Sequence, residues 1–196
     1  MIPKDAAKRL ARIEAREGAP EPERWYLLVY EPADERGMRE FVVAGGKLVT
    51  SRLISQFAET LTPEDVIGAD AVKIDSTHIA KLASAFANAE GAKVGSLNYE
   101  LTRDAESKSP VWRVTVMDAV GDQLGILTVD AAKGVVLGSD GFGKTPEADL
   151  LAPPAKVAIA ERTAARRTKA ASKPTPKPGL LKRIFSADRK SPGSDR

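Results

Sequence analysis

Three sets of residues in this chain have the types and spacing to do chemistry. Gly138-Ser139-Asp140-Gly141-Phe142-Gly143-Lys144-Thr145 fits the phosphate-loop pattern G-x-x-x-x-G-K-[ST] and follows a strand pattern. A phosphate loop must open a helix whose first amides face the phosphates. Here Pro146 follows at once and Pro153-Pro154 soon after, so the segment reads as a Gly-rich exit loop. Nucleotide binding at 138–145 is the lesser alternative. His78 is the only histidine and the chain has no cysteine. Thiolate zinc sites, disulfides and thiol nucleophiles are therefore excluded, and His78 reads as a solvated or capping residue beside Asp75. Asp118, Asp122 and Asp130 could form a carboxylate pair for acid/base work. Each falls at a predicted turn or strand end, where aspartate commonly serves the backbone. The expectation is no enzyme, no cofactor and no metal.

The elements that would position these groups repeat. Arg24–Tyr30 followed by Phe41–Val49 returns as Val111–Met117 followed by Leu127–Val135, with the only two tryptophans, Trp25 and Trp112, at matching places 87 positions apart. Trp25, Leu27, Val29, Phe41, Val43 and Val49 alternate onto one strand face. Trp112, Val114, Val116, Leu127, Val129 and Val135 do the same. Residues 5–17 read as a helix through Ala6, Leu10 and Ile13, stopped by Gly18 and Pro20. Leu53, Ile54, Phe57, Ala58 and Leu61 also fall at helical spacing. Asp75 caps a second helix whose stripe is Ile79, Leu82, Ala83 and Phe86, ended by Gly91. A further strand, Val94–Leu101, has no counterpart in the first unit on this reading. The expected fold is α+β: two tandem units of a helix packed on an antiparallel β-meander, residues 1–61 and 62–143, then a disordered basic tail, 144–196.

The second unit resembles a known family. After the helix come Leu97-Asn98-Tyr99-Glu100-Leu101, then Val111–Asp118 and Gly121-Asp122. It closes on Val129-Asp130-Ala131-Ala132-Lys133-Gly134-Val135-Val136, a V-D-x-x-x-G-x-V ending. Over residues 76–138 this resembles the PepSY domain of peptidase propeptides and membrane-associated bacterial proteins. The resemblance implies a non-catalytic module that binds or restrains another protein, and it carries no catalytic residues. Ala44 stands where the first unit would have the aspartate.

Charge divides the chain. Residues 144–196 carry 13 Lys/Arg and 5 Asp/Glu, and the preceding 143 carry 17 and 22. An anionic partner would meet the tail and not the body. Near its end Leu180, Leu181, Ile184 and Phe185 make an apolar helical stripe beside Lys182 and Arg183, within a short amphipathic element at 179–187. Docking to a protein partner or an anionic membrane surface fits it. Nucleic acid is disfavoured, because the basic residues lack interleaved aromatics. Tyr26, Leu28 and Tyr30 lie on the face opposite Trp25, making the first sheet apolar on both sides. The connecting segment 53–61 or the other unit's helix would cover them, or else a partner would. Function is expected to be protein binding or inhibition, with a peripheral membrane or assembly role through the tail as the alternative. The start Met1-Ile2-Pro3-Lys4-Asp5 lacks an apolar leader, and no run approaches a bilayer span. The expected location is cytoplasmic, with the tail able to hold the chain at the membrane periphery. A start site further upstream would make it extracytoplasmic.

Overall fold

The computed structural model describes residues 2–19, 21–33, 37–54 and 60–152. Two helices, α1 (Lys4–Lys8) and α2 (Ser76–Ala89), accompany eight strands. These are β1 (Leu10–Gly18), β2 (Arg24–Tyr30), β3 (Met38–Ala44), β4 (Lys47–Leu53), β5 (Ser96–Arg103), β6 (Pro110–Met117), β7 (Gln123–Asp130) and β8 (Val136–Asp140). All eight form one antiparallel sheet in the order β4-β3-β2-β1-β5-β6-β7-β8. The fold is therefore not two tandem helix-on-meander units. It is a single sheet with one long helix, and the two meanders are fused through β1 and β5.

The correction turns on residues 5–17. Ala6, Leu10 and Ile13 fit a helix, but Ile13 and Ala15 alternating with Arg12, Glu14 and Arg16 also fit the period of a strand, with Ala11 turned to the other face by a bulge. The structure uses the second pattern. Helix α1 stops after five residues, and β1 buries Ile13 and Ala15 while Arg12 and Glu14 face the other way. Local propensity does not decide between the two periods; the unpaired edges of β2 and β5 do, because a strand between them satisfies both ladders. β1 is thus the counterpart of β5 that the sequence reading lacked. Glu14 lies directly opposite Glu100, flanked by Ile13 opposite Leu101 and Ala15 opposite Tyr99.

Elsewhere strand positions agree with the alternation of the sequence except at the two sheet edges, where a bulge beside each outer strand leaves Val49 and Val135 exposed and turns Leu48 and Val136 to the core in their place. Gly45 and Gly46, both at positive φ, turn β3 into β4. The Asp75 carboxylate accepts the His78 amide at 3.0 Å and caps α2, which buries Ile79, Leu82, Ala83 and Phe86. One core joins the two halves beneath this helix. Trp112 is at its centre, 6.4 Å from Trp25 and 6.3 Å from Tyr99 between ring centroids, both edge-on.

The chain between β4 and α2 straps this core. The amides of Ile67 and Gly68 donate to the Leu10 carbonyl at the start of β1. Those of Lys73 and Ile74 donate to Ala131 just past β7, each at 2.9 Å. Arg103 adds hydrogen bonds to the Glu64 and Val66 carbonyls. On the opposite face, Ile54 and Leu61 close over Leu28, Met38 and Ala11. The helical pattern expected over 53–61 falls mainly on residues outside those described, but both ends of that segment lie where the sheet needed covering.

Candidate functional site

Alternation along the three central strands puts one set of side chains on the face away from α2. Glu14 and Arg16 alternate with the buried Ala15, Asn98 and Glu100 with Tyr99, and Arg113 and Thr115 with Val114. These six line a shallow groove of about 250 Å³ over the β1–β5–β6 ladders. The ladder places Glu14 against Glu100, and Glu100 against Arg113. Like charges directly opposite one another cost stability, so this arrangement is not a packing solution. Arg12 offsets part of that cost through Glu14 at 3.3 Å. Among the described residues the side chains of Glu100 and Arg113 form no ion pair. Arg113 is exposed, and Asn98 accepts the Glu17 amide at 3.0 Å, which fixes the bulge at the end of β1. The groove presents both signs of charge on rigid strands and is suited to hold a polar, extended ligand by hydrogen bonds and ion pairs.

The residues expected to meet a partner are distributed differently. Leu28 is buried under Ile54 and Leu61, so the connecting segment supplies its cover. Tyr30 is half-buried against the same cluster. Tyr26 is half-buried and faces Glu14 across the β1–β2 ladder, one strand from the groove. Leu180, Leu181, Lys182, Arg183, Ile184 and Phe185 lie outside the described residues.

The other candidates serve the fold. Asp130 Oδ1 accepts the amides of Ala132 and Lys133 at 2.8 and 2.9 Å, and Gly134 takes the positive φ that closes the turn. Asp118 Oδ1 does the same for Val120 and Asp122. Asp122 and Asp130 sit at the two ends of β7, roughly 25 Å apart at about 3.3 Å per residue, and do not meet. In the Gly138–Thr145 segment the first three residues belong to β8, and Gly141 turns the chain at positive φ. Phe142 then packs on Phe86 at 5.3 Å, and the Lys144 amide is taken by the Glu90 carboxylate at 2.6 Å. No helix starts at this loop among the described residues. A carboxylate occupies the amide that a phosphate would need.

His78 has a buried Nε2 without a hydrogen-bond partner. Burial lowers its pKa and Lys81 adds to this, while Asp75 opposes. The unfolded chain then binds the proton at higher pH than the folded one. Stability contributed by neutral His78 is fully present above the unfolded value, about 6.5, and declines as pH falls through it toward the folded value. Denaturation midpoints measured from neutral to mildly acidic pH should fall more steeply for the natural chain than for His78→Gln. Parallel curves would remove His78 from the account.

No helix among the described residues is long and apolar enough to cross a membrane. Set beside known families, characterised proteins and solved structures, the chain matches none of them.

Proposed function

We propose that this chain is a non-enzymatic protein-binding module, of the kind the PepSY resemblance implies, that takes an extended segment of a partner across its polar groove. The observation that carries this reading is the pairing of Glu100 with Arg113 on adjacent strands, neither of them neutralised by an ion pair within the described protein. A polypeptide segment offers amides and both signs of charge at strand spacing, and so can complement both. Tyr26 beside Glu14 extends the surface toward the first meander. The basic tail, whose sequence includes the apolar Leu180, Leu181, Ile184 and Phe185, supplies a second point of attachment or delivers the module to an anionic surface.

A random-peptide display library panned on the full chain tests the reading. Enriched peptides should carry interspersed acidic and basic residues. Exchanging the charges with Glu100→Lys and Arg113→Glu should weaken their binding by about tenfold or more, roughly 1.4 kcal/mol. Arg113 is exposed and Glu100 half-buried, and Glu100→Lys removes the like-charge contact with Glu14, so the exchange should not lower stability. Enrichment that ignores the charge exchange would overturn the reading. Phe185→Asp, compared in binding to anionic vesicles, separates the tail's contribution. Substitution is preferable to truncation at 143, because Leu151 also packs against the main core.

A further inference from the structure

β4 is the terminal strand of the sheet, so among the described residues its outer row of backbone amides and carbonyls is unpaired. Such an edge is a template for another strand. Six of its seven positions are exposed, and two carry apolar side chains, Val49 at 62% and Leu53 at 48%. We infer that two copies of this chain associate through their β4 edges, antiparallel and with Ser51 on the two-fold axis.

The register follows from the sequence of the strand. Antiparallel pairing of identical strands is symmetric about one point; β4 bulges at Val49, since Val42 pairs with Thr50 and Val43 with Leu48, so its regular part is Thr50–Leu53 and only centres within that part are tolerable. Centring on Ser51 places Val49 opposite Leu53 of the second copy, twice by symmetry, and Thr50 opposite Arg52. All four exposed apolar side chains gain apolar neighbours. Centring on Thr50 instead sets Leu48 against Arg52 and Lys47 against Leu53. In the Ser51 register each Arg52 keeps its own Glu40, 2.7 Å away, and Lys47 lies beyond the central pairs. The contact uses the same patch on both copies and closes on itself. The other edge is a poorer template. β8 has five residues with Gly138 at its centre, and its exposed Val135 and Leu137 flank its first residue, next to the Asp130–Gly134 turn. A single strand pair is a small interface, so the dimer should be weak, with Kd on the order of 10 µM or above.

The full chain tests this inference by mass measurement across concentration. Average mass should rise from monomer toward dimer, and Val49→Lys with Leu53→Lys should raise Kd at least tenfold without shifting the thermal midpoint. Because the chain has no cysteine, Ser51→Cys introduces a single thiol. On the axis the two Cβ atoms would be about 4.5–5.5 Å apart, close enough for a disulfide after small adjustment. Lys47→Cys would place the thiols about 27 Å apart in this register. Mild oxidation should therefore link Ser51→Cys dimers and leave Lys47→Cys largely unlinked. A monomer at every concentration, a dimer unaffected by the two lysines, or equal cross-linking at 47 and 51 would each overturn the inference.

Discussion

Trp112→Ala should lose about 3–5 kcal/mol of stability, a large share of the 5–15 kcal/mol typical of a folded domain. Trp112 is 1% exposed and is packed edge-on against both Trp25 and Tyr99. Its removal opens a cavity where the two halves of the sheet meet the strap. Its Nε1–H also donates to the Ile74 carbonyl at 3.0 Å, one residue before the cap of α2. The ring therefore fixes where the helix begins as well as filling space. Trp112→Phe separates the two contributions. It keeps most of the ring packing and leaves the Ile74 carbonyl unsatisfied, at about 1–3 kcal/mol. Denaturant titration followed by circular dichroism avoids the altered fluorescence. A loss below about 1 kcal/mol for Trp112→Ala would show that the core is not organised around this residue. Trp25→Ala combined with Trp112→Ala should give a non-additive loss, since the rings touch.

The second half of the fold could be read from residues because local signals agreed there. Asp75 marked the helix start, Ile79, Leu82, Ala83 and Phe86 its buried face, and Asp130 with Gly134 the closing turn. The first half failed at β1 for a reason that can be named. Thirteen residues rich in alanine carry both periods at once, and the decision rests with β2 and β5, which are distant in sequence. That single misreading hid the groove, because Glu14 and Arg16 appear on the groove face only when 10–18 is a strand. Arg113 and Thr115 could be recognised as polar on the back of β6, but without β1 beside β5 they had no partners. The apolar back of β2 was legible, and the cover over Leu28 comes from the connecting segment, at Ile54 and Leu61. No sequence pattern announced that Glu14 would face Glu100; register across the centre of the sheet is set by tertiary pairing.

Gly95→Ala should cost about 3 kcal/mol, at the upper end of overpacking losses, although nothing in the local sequence marks this glycine as special. A Cβ at Gly95 would fall on the carbonyl of Asp118, and 2.7 Å from the Ala119 Cα. Backbone cannot swing aside as a side chain can. Asp118 is also held from both ends of its turn, its amide donating to Asp122 at 2.8 Å while its carboxylate takes two further amides. Relief therefore requires β5 to part from β6 at its first residues, where the Gly95 amide donates to Met117 at 2.8 Å. Gly91 makes the contrasting case. It has φ +79 and open space around its missing Cβ, so Gly91→Ala pays only for the left-handed backbone, about 1 kcal/mol. The helix-ending glycine is the one a reader of the sequence would choose to protect, yet close approach outweighs backbone angle here. Chemical denaturation of the two variants side by side decides it, and a larger loss for Gly91→Ala would reverse the ranking. Because Gly95 leads into Asn98 and Glu100, its alanine variant should also disturb the groove, which Gly91→Ala should leave intact.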